Sequence, residues 1–309
     1  MNTSPYQWLR DVYHFLRLDK LRASLSSEVN RSFLFHRASE SDLLREEADM
    51  WRSFLFLKRR YGNFLKTLPD YPLIQEKPKI IWWCWLQGEN QAPSLCKTCL
   101  ASVKKNFPDY EIRVVTEENL GRYISIPDYI KQKYQIGIIS GAHYSDIIRT
   151  MLLVEYGGVW MDSTVLCTGY HIPVFDFPFF VFQNWKFNKQ HASICSSWLI
   201  SSTIGHPILR TTQELLFDYW RNNNQLINYF LFHLFFQMAV ERYPVLWEEM
   251  PRFSNIPPHM LQFELFRPYD PVRFEQITRM SDFHKLNWKA RELQDGAEGS
   301  FYAFIQDQG

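Results

Sequence analysis

The sequence predicts an α/β layered domain, a mixed sheet with helices on its faces, preceded by a helical region. Two observations carry this. From Pro78 onward, short β-branched and aromatic runs alternate with amphipathic stretches of helical length. Before residue 75 the chain reads differently, with two helical stretches. We therefore divide the chain into residues 1–75, a helical region, and residues 76–309, the α/β domain.

Taken in order, "SPYQWLRDVYHFLRL" sets Leu9, Val12, Tyr13 and Leu16 at helical spacing behind a Ser4–Pro5 start signal. A second helix is expected from about Ser39 to Phe64. The pentapeptide "RSFLF" occurs at Arg31 and again at Arg52, which is too few copies for a repeat array. "KIIWWCW" and "YEIRVV" read as strands, with the helix "APSLCKTCLASVKKNF" between them. "TEENLGRYI" opens a helix at Thr116 with glutamates in its first turn. "SGAHYSDIIRTMLLVEYGG" is a helix from Ser140 that stops at Gly157. "GVWM", "FFVFQ" and "SSWLIS" follow as strands, and "GHPILRTTQELLFDYW" as a helix, with His206 just before its start. The apolar run from Leu226 to Val240 is read as a buried helix, too short to span a bilayer. "IPPHM", with His259, is read as a loop.

Composition narrows the function. A chain of 309 residues that is 46% hydrophobic can bury a large core, and a formal net charge of +1 gives no electrostatic case for nucleic acid. The first residues lack the apolar run of a signal peptide. Five cysteines fit a reducing compartment, and Cys96 and Cys99, with no second pair at zinc spacing, read as structural. These features predict a cytoplasmic protein. The cations of residues 1–75, among them Arg10, Arg17 and Arg31, lie near Trp8, Phe33 and Phe35. That mixture suits the inner face of an anionic membrane, and equally a helical hairpin with solvated charges.

The polar residues of interest sit around "SDIIRTMLLVEYGGVWMDST". Asp146 and Arg149 share one helix face, and the helix leads through a glycine turn into a strand that ends at Asp162. Ligands of α/β sheets bind at the carboxyl ends of strands. Three polar groups are thus expected to converge on one crevice.

In its order of motifs, from "KPKIIWWCWLQGENQAP" through "HYSDIIRTMLLVEYGGVWMDSTV" to "FHKLNWK", the stretch from Lys77 to Lys289 resembles the glycosyltransferase sugar-binding region containing the DXD motif. Within that group (family 32-like) it is most similar to bacterial capsular polysaccharide synthesis proteins. The resemblance implies a GT-A-like fold and a retaining hexosyltransferase. The donor would be a nucleotide sugar, a UDP-hexose by expectation, and the acceptor a surface glycan or lipid-linked glycan. It implies Trp85 against the base, Ser145, Asp146, Arg149 and Trp160 at the donor sugar and diphosphate, and His284, Lys285 and Trp288 in a closing loop. Asp146, Arg149 and Asp162 would carry the chemistry. Apart from the resemblance, Gln183, Asn184 and Trp185 follow a strand and are expected to face the acceptor, with Ser197 and Trp198 on the acceptor or donor-sugar side.

The departure from the family pattern is Thr164, where D-x-D has its second aspartate. A divalent cation, Mn²⁺ or Mg²⁺, would be held by Asp162 with Thr164 as a further oxygen. Two other readings stay open: a non-catalytic subunit that binds nucleotide sugar or glycan, and a transferase of sugar phosphate.

Overall fold

The computed structural model describes residues 40–184, 193–289 and 298–307. By its internal contacts the chain divides into Met1–Asp49 and Met50–Gly309. Most of residues 1–75 that suggested a membrane contact, Trp8, Phe33 and Phe35 included, lie outside the described residues. Helix α1, Glu40–Thr67, runs from one unit into the other. From Met50 on it is part of the larger unit, where Phe54, Leu57 and Tyr61 are buried. There the Tyr61 ring meets Phe235 edge-on at 5.2 Å, and Lys58 pairs with Glu241.

The larger unit is a mixed α/β layer. Its sheet contains β1 (Ile80–Cys84), β2 (Glu111–Val115), β3 (Gly158–Met161), β5 (Phe179–Gln183) and β6 (Cys195–Ser202), in the order β2-β1-β3-β6-β5. Strands β1, β2 and β3 are parallel, and β6 runs antiparallel to both β3 and β5. Three strands therefore deliver their carboxyl ends to one edge: Trp85, Thr116 and Asp162 each follow a strand directly.

The pleat explains the tryptophan-rich first strand. Ile81 and Trp83 join apolar clusters with α2 (Ser94–Asn106), which contributes Val103, Cys96 and Leu100. Trp82 points the other way, donates its indole N–H to the Gly157 carbonyl and meets Tyr123 and Tyr156. Full burial of such rings contributes roughly 1.5–3 kcal/mol each.

The local signals for the helices are realised. In α3 (Glu117–Tyr123) the Thr116 hydroxyl accepts from the Asn119 amide, and the Asn119 side chain answers the Thr116 amide. After α4 (Asp128–Gln135), α5 spans Gly141–Tyr156, capped by the Ser140 hydroxyl and ended by Gly157. Gly157 and Gly158 both have positive φ, 65° and 91°, and a Cβ on Gly158 would stand 2.6 Å from the Ile80 carbonyl oxygen. Only glycine lets the chain turn from α5 into β3 this close to β1.

Helices α6 (Pro207–Asn222) and α7 (Leu231–Arg242) close the α5 side of the sheet. The apolar run begins its helix at Leu231 rather than Leu226, because the Asn228 side chain accepts from the Phe230 amide and forms a turn first. After α8 (Pro244–Glu248), the stretch expected as a loop around His259 is helical: α9 spans Ile256–Glu264. Two prolines at its start remove N–H groups that a first turn leaves unpaired anyway. Helices α10 (Pro271–Met280) and α11 (Phe301–Asp307) complete the layer.

The expected closing loop at His284 is a strand. Residues Phe283–Lys285 form β7, antiparallel to β4 (Val165–Cys167), in register Val165 to Lys285. Pairing satisfies backbone groups that a buried loop would leave unanswered. It also fixes Lys285 beside the end of β3.

Candidate functional site

The site grows from two periodicities. In β3, alternation puts Trp160 and Asp162 on the same face, toward α5. In α5, Asp146 and Arg149 share a face. Where these faces meet, Arg149 joins the two carboxylates: its Nη1 lies 3.2 Å from Asp146 Oδ1 and its Nη2 3.3 Å from Asp162 Oδ1. The expected convergence of Asp146, Arg149 and Asp162 is thus the observed arrangement.

Arg149 is 7% exposed and heavily committed. It donates to the Ser197 carbonyl and the Ser145 hydroxyl, and its guanidinium stacks over the Trp160 ring at 5.2 Å. Its Nε meets no acceptor among the described residues. Burial pushes the Asp146 carboxyl pKa up from the usual range, and the Arg149 charge opposes that shift. Asp162 Oδ1 also accepts the Trp160 indole N–H at 2.9 Å.

On the other side of Asp162 lies Lys285. Its ammonium stands 3.5 Å from Asp162 Oδ2 and donates to the Thr164 hydroxyl. The chain reaches this arrangement by a turn, in which the Val165 amide donates to the Asp162 carbonyl, and by the Leu286 amide donating to the Thr164 carbonyl. The Thr164 side chain is therefore held against Lys285 and is buried.

Trp85 and Trp288 stand edge to face, 5.5 Å between ring centres, both half-buried. They close one end of an apolar cluster with Trp83 and Cys96. Lys289 lies over Trp288.

Other expected residues are placed differently. Trp160 is 1% exposed and presents no free ring face; it meets the site through its N–H to Asp162 and its ring beneath Arg149. His284 is fully buried, on the opposite face of β7 from Lys285, where its Nε2 meets the Thr168 hydroxyl. Burial pushes its pKa down to about 4. Trp198 is stacked on Phe182 within the core. The Asn184 side chain is tied to Ser193, Ser196 and Asn255, and Ser197 meets Arg149 through its carbonyl. Gln183 ends β5, its backbone bonded to Phe253 and Asn255. Trp185 lies outside the described residues. The Cys96–Cys99 pair is buried and unbridged; burial pushes the Cys96 thiol up to about 11.

Three residues near the cluster went unnoticed in the sequence. Cys84 ends β1 close enough to feel Arg149 and Asp162, although burial is what chiefly pushes its thiol up to about 12. His143, one turn before Asp146, bonds the Tyr229 carbonyl, and the Tyr229 ring meets it edge-on at 5.5 Å. Its spacing of three from Asp146 on α5 is a signal that could have found His143. Tyr229 sits in an irregular segment that gave no signal.

The oxygen donors do not make a divalent-cation site as they stand. Asp162 Oδ1 already takes two donors, Oδ2 faces an ammonium, Asp146 is paired with Arg149, and the Thr164 hydroxyl accepts from Lys285. Among the described residues no cluster of three or more His, Cys, Asp or Glu side chains could hold a metal ion.

The family described as capsular polysaccharide synthesis protein matches residues 30–305. Glycosyltransferase afumC of Aspergillus fumigatus is 27% identical over 115 residues, 34% of this chain and 29% of that protein. Inositol phosphoceramide mannosyltransferase 3 of Schizosaccharomyces pombe is 26% identical over 152 residues, 46% of this chain and 39% of its own length. The chain thus spans well under half the length of these two relatives. Among solved structures, the PaToxG glycosyltransferase superposes with a TM-score of 0.36 at 17% identity, over 77% of this chain and 95% of that one. With the family match running through α1, the sheet, the Asp162 cluster and α11, this chain belongs to the capsular polysaccharide synthesis protein family.

Proposed function

We propose that the chain is a glycosyltransferase that moves a hexose from a nucleoside-diphosphate sugar to a glycan or lipid-linked glycan acceptor, with retention of the anomeric configuration. The observation that carries this reading is the Asp146–Arg149–Asp162–Lys285 cluster at the carboxyl ends of parallel strands, beside the Trp85–Trp288 pair. The name of the fission-yeast relative, a mannosyltransferase acting on inositol phosphoceramide, is consistent with a hexose donor and a lipid-linked acceptor.

Each group has work suited to its chemistry. The half-buried Trp85 and Trp288 offer π surface to a base. Asp146 and Asp162 accept sugar hydroxyls, as ionised carboxylates do. Lys285 meets the diphosphate, whose negative charge grows as the bond from the sugar C1 to its oxygen breaks. The acceptor oxygen then bonds to C1 on the same face, and its proton passes to the departing diphosphate. Such a step needs positioned reactants and charge stabilisation, with no protein nucleophile.

The test is transfer by the full-length protein from a panel of nucleotide sugars to glycan and lipid-linked acceptors, with the anomer of the product read by NMR. Asp162→Asn keeps the side-chain shape and removes the charge. It is expected to lower transfer by about 10²–10³-fold, the range for losing one preorganised electrostatic group. Wild-type rates in this variant would refute the site. A product carrying sugar phosphate would replace the reading with phosphosugar transfer, and tight donor binding without turnover would replace it with a binding subunit.

A further inference from the structure

We propose that the Lys285 ammonium occupies the position a divalent cation takes in a D-x-D site, so that this chain binds the donor diphosphate without a metal ion. The proposal rests on the donor-site reading above.

The first argument is the donor set. A strand end with two carboxylates concentrates negative charge where a hard cation can sit. Here the third position is Thr164, and its hydroxyl accepts from Lys285. The remaining carboxylate, Asp162, has Oδ1 bonded by Trp160 and Arg149 and Oδ2 facing Lys285 at 3.5 Å. Asp146 answers Arg149. Two carboxylates thus face two cations, and the cluster carries no formal excess of negative charge to attract a divalent ion. A metal ion coordinated by Asp162 Oδ2 would sit against an ammonium, and like charges at such distances repel strongly away from bulk water.

The second argument is how Lys285 is held. Its backbone is registered opposite Val165 in β4, and the next amide bonds the Thr164 carbonyl. These ties anchor the residue to the segment that follows Asp162. The side chain itself is less confined: it is 22% exposed, and its distance to Asp162 exceeds a tight ion pair. A lysine ammonium is a compact charge with three donors on a flexible stem, so it can keep its Thr164 bond and turn another N–H to a phosphate oxygen. Arg149 is placed differently, being 7% exposed and committed to Asp146, Asp162, Ser145 and the Ser197 carbonyl. Arg149 fixes the carboxylates, and Lys285 faces the ligand.

The experiment is calorimetric titration of full-length protein with UDP, GDP and pyrophosphate, in EDTA and then with added Mn²⁺ or Mg²⁺. The wild-type Kd for the best probe is expected to agree within about twofold between the two media, a difference far smaller than one metal–phosphate contact produces. Lys285→Ala is expected to weaken binding in EDTA by about tenfold or more, as for loss of a charge-assisted hydrogen bond. Lys285→Arg, which keeps the charge, is expected to bind in EDTA better than Lys285→Ala. The Lys285→Ala, Thr164→Asp double variant vacates the ammonium position and restores the second carboxylate; its binding is expected to fail in EDTA and return with Mn²⁺. Wild-type binding that collapses in EDTA and returns with Mn²⁺ overturns the proposal while leaving the donor site standing. So does a folded Lys285→Ala protein that binds as wild type in EDTA. If no probe binds wild type in either medium, the donor-site reading falls and this proposal falls with it.

Discussion

On the α5 side of the crevice, Arg149 is buried, bridges Asp146 and Asp162, and stacks on Trp160, while Asp162 takes the Trp160 indole N–H as well. Following β1, the carboxyl-end neighbour of β3, Trp85 meets Trp288 with both rings half-buried and Lys289 over Trp288. The first region satisfies its charges within the protein and has little freedom left. The second presents two half-buried rings at the edge of an apolar cluster, with Lys289 over one of them. A substitution in the first should therefore damage the fold and the site together. One in the second should change ligand affinity and leave the fold alone.

The strongest way to break that contrast is Arg149→Met. It strands Asp146, whose pKa is already raised by burial, and takes one of two cations from Asp162; breaking a buried charge pair costs about 3–5 kcal/mol of stability. Urea unfolding should show the loss directly. A variant as stable as wild type would mean that Asp146 and Asp162 are well solvated, and the cluster would lose its claim to rigidity.

Trp85→Ala probes the other region. It should weaken binding of a nucleoside diphosphate by about 1–3 kcal/mol, the range for a base stacked on an aromatic ring. Its melting temperature should change less than that of Arg149→Met, since Trp85 lies at the edge of its apolar cluster. Unchanged affinity with a large loss of stability would reverse the roles assigned to the two regions.

The sequence made one region far more legible than the other. The Asp146–Arg149 pair, the Ser140 cap and the Gly157 stop are local signals, each read within a few residues. Fold class followed from the strand and helix rhythm, and the parallel strands placed Asp162 at their carboxyl ends. What escaped depends on distant pairing. β7 is three residues long, "FHK", and carries no period of its own; only its pairing with β4, more than a hundred residues earlier, makes it a strand. That pairing turns Lys285 to Asp162 and His284 into the interior. Alternation along β3 sets Trp160 on the face of Asp162, but that Arg149 covers the ring depends on the packing of α5 against the strand, which no local signal carries.

His284 supplies a test of that interior placement by pH. Burial holds its folded pKa at about 4, below the ordinary histidine value near 6.5. As pH falls through 6.5 the unfolded chain takes up a proton that the native state refuses until about 4, so stability falls with pH across that window. The contribution is about 1.4 kcal/mol per pH unit for one such group. His206 and His233, each pushed by burial to about 3, act in the same direction. Urea unfolding at several pH values between 6.5 and 4 should show a shallower slope for His284→Gln than for wild type. Equal slopes would place His284 in contact with solvent, where a closing loop over the diphosphate would have it.

The smallest effect expected is that of Trp160→Phe, and it divides packing from positioning. Phenylalanine keeps an aromatic face beneath Arg149 and most of the buried area. It removes the indole N–H that Asp162 Oδ1 accepts at 2.9 Å. A hydrogen bond to a charged acceptor is worth about 1.5–3 kcal/mol when lost outright. Here Arg149 still holds the same oxygen, so the net cost to stability should be nearer 1 kcal/mol. The larger consequence is directional. With one restraint gone, the Asp162 carboxylate can rotate toward Lys285, which stands 3.5 Å from Oδ2, and tighten that pair. A tighter pair leaves the ammonium less able to meet a phosphate. Donor affinity should then drop by a few-fold while the melting temperature shifts by a few degrees at most. Lower stability with unchanged donor affinity would make Trp160 a packing residue alone. Lower affinity at unchanged stability would make its N–H the restraint that keeps Asp162 and Lys285 apart.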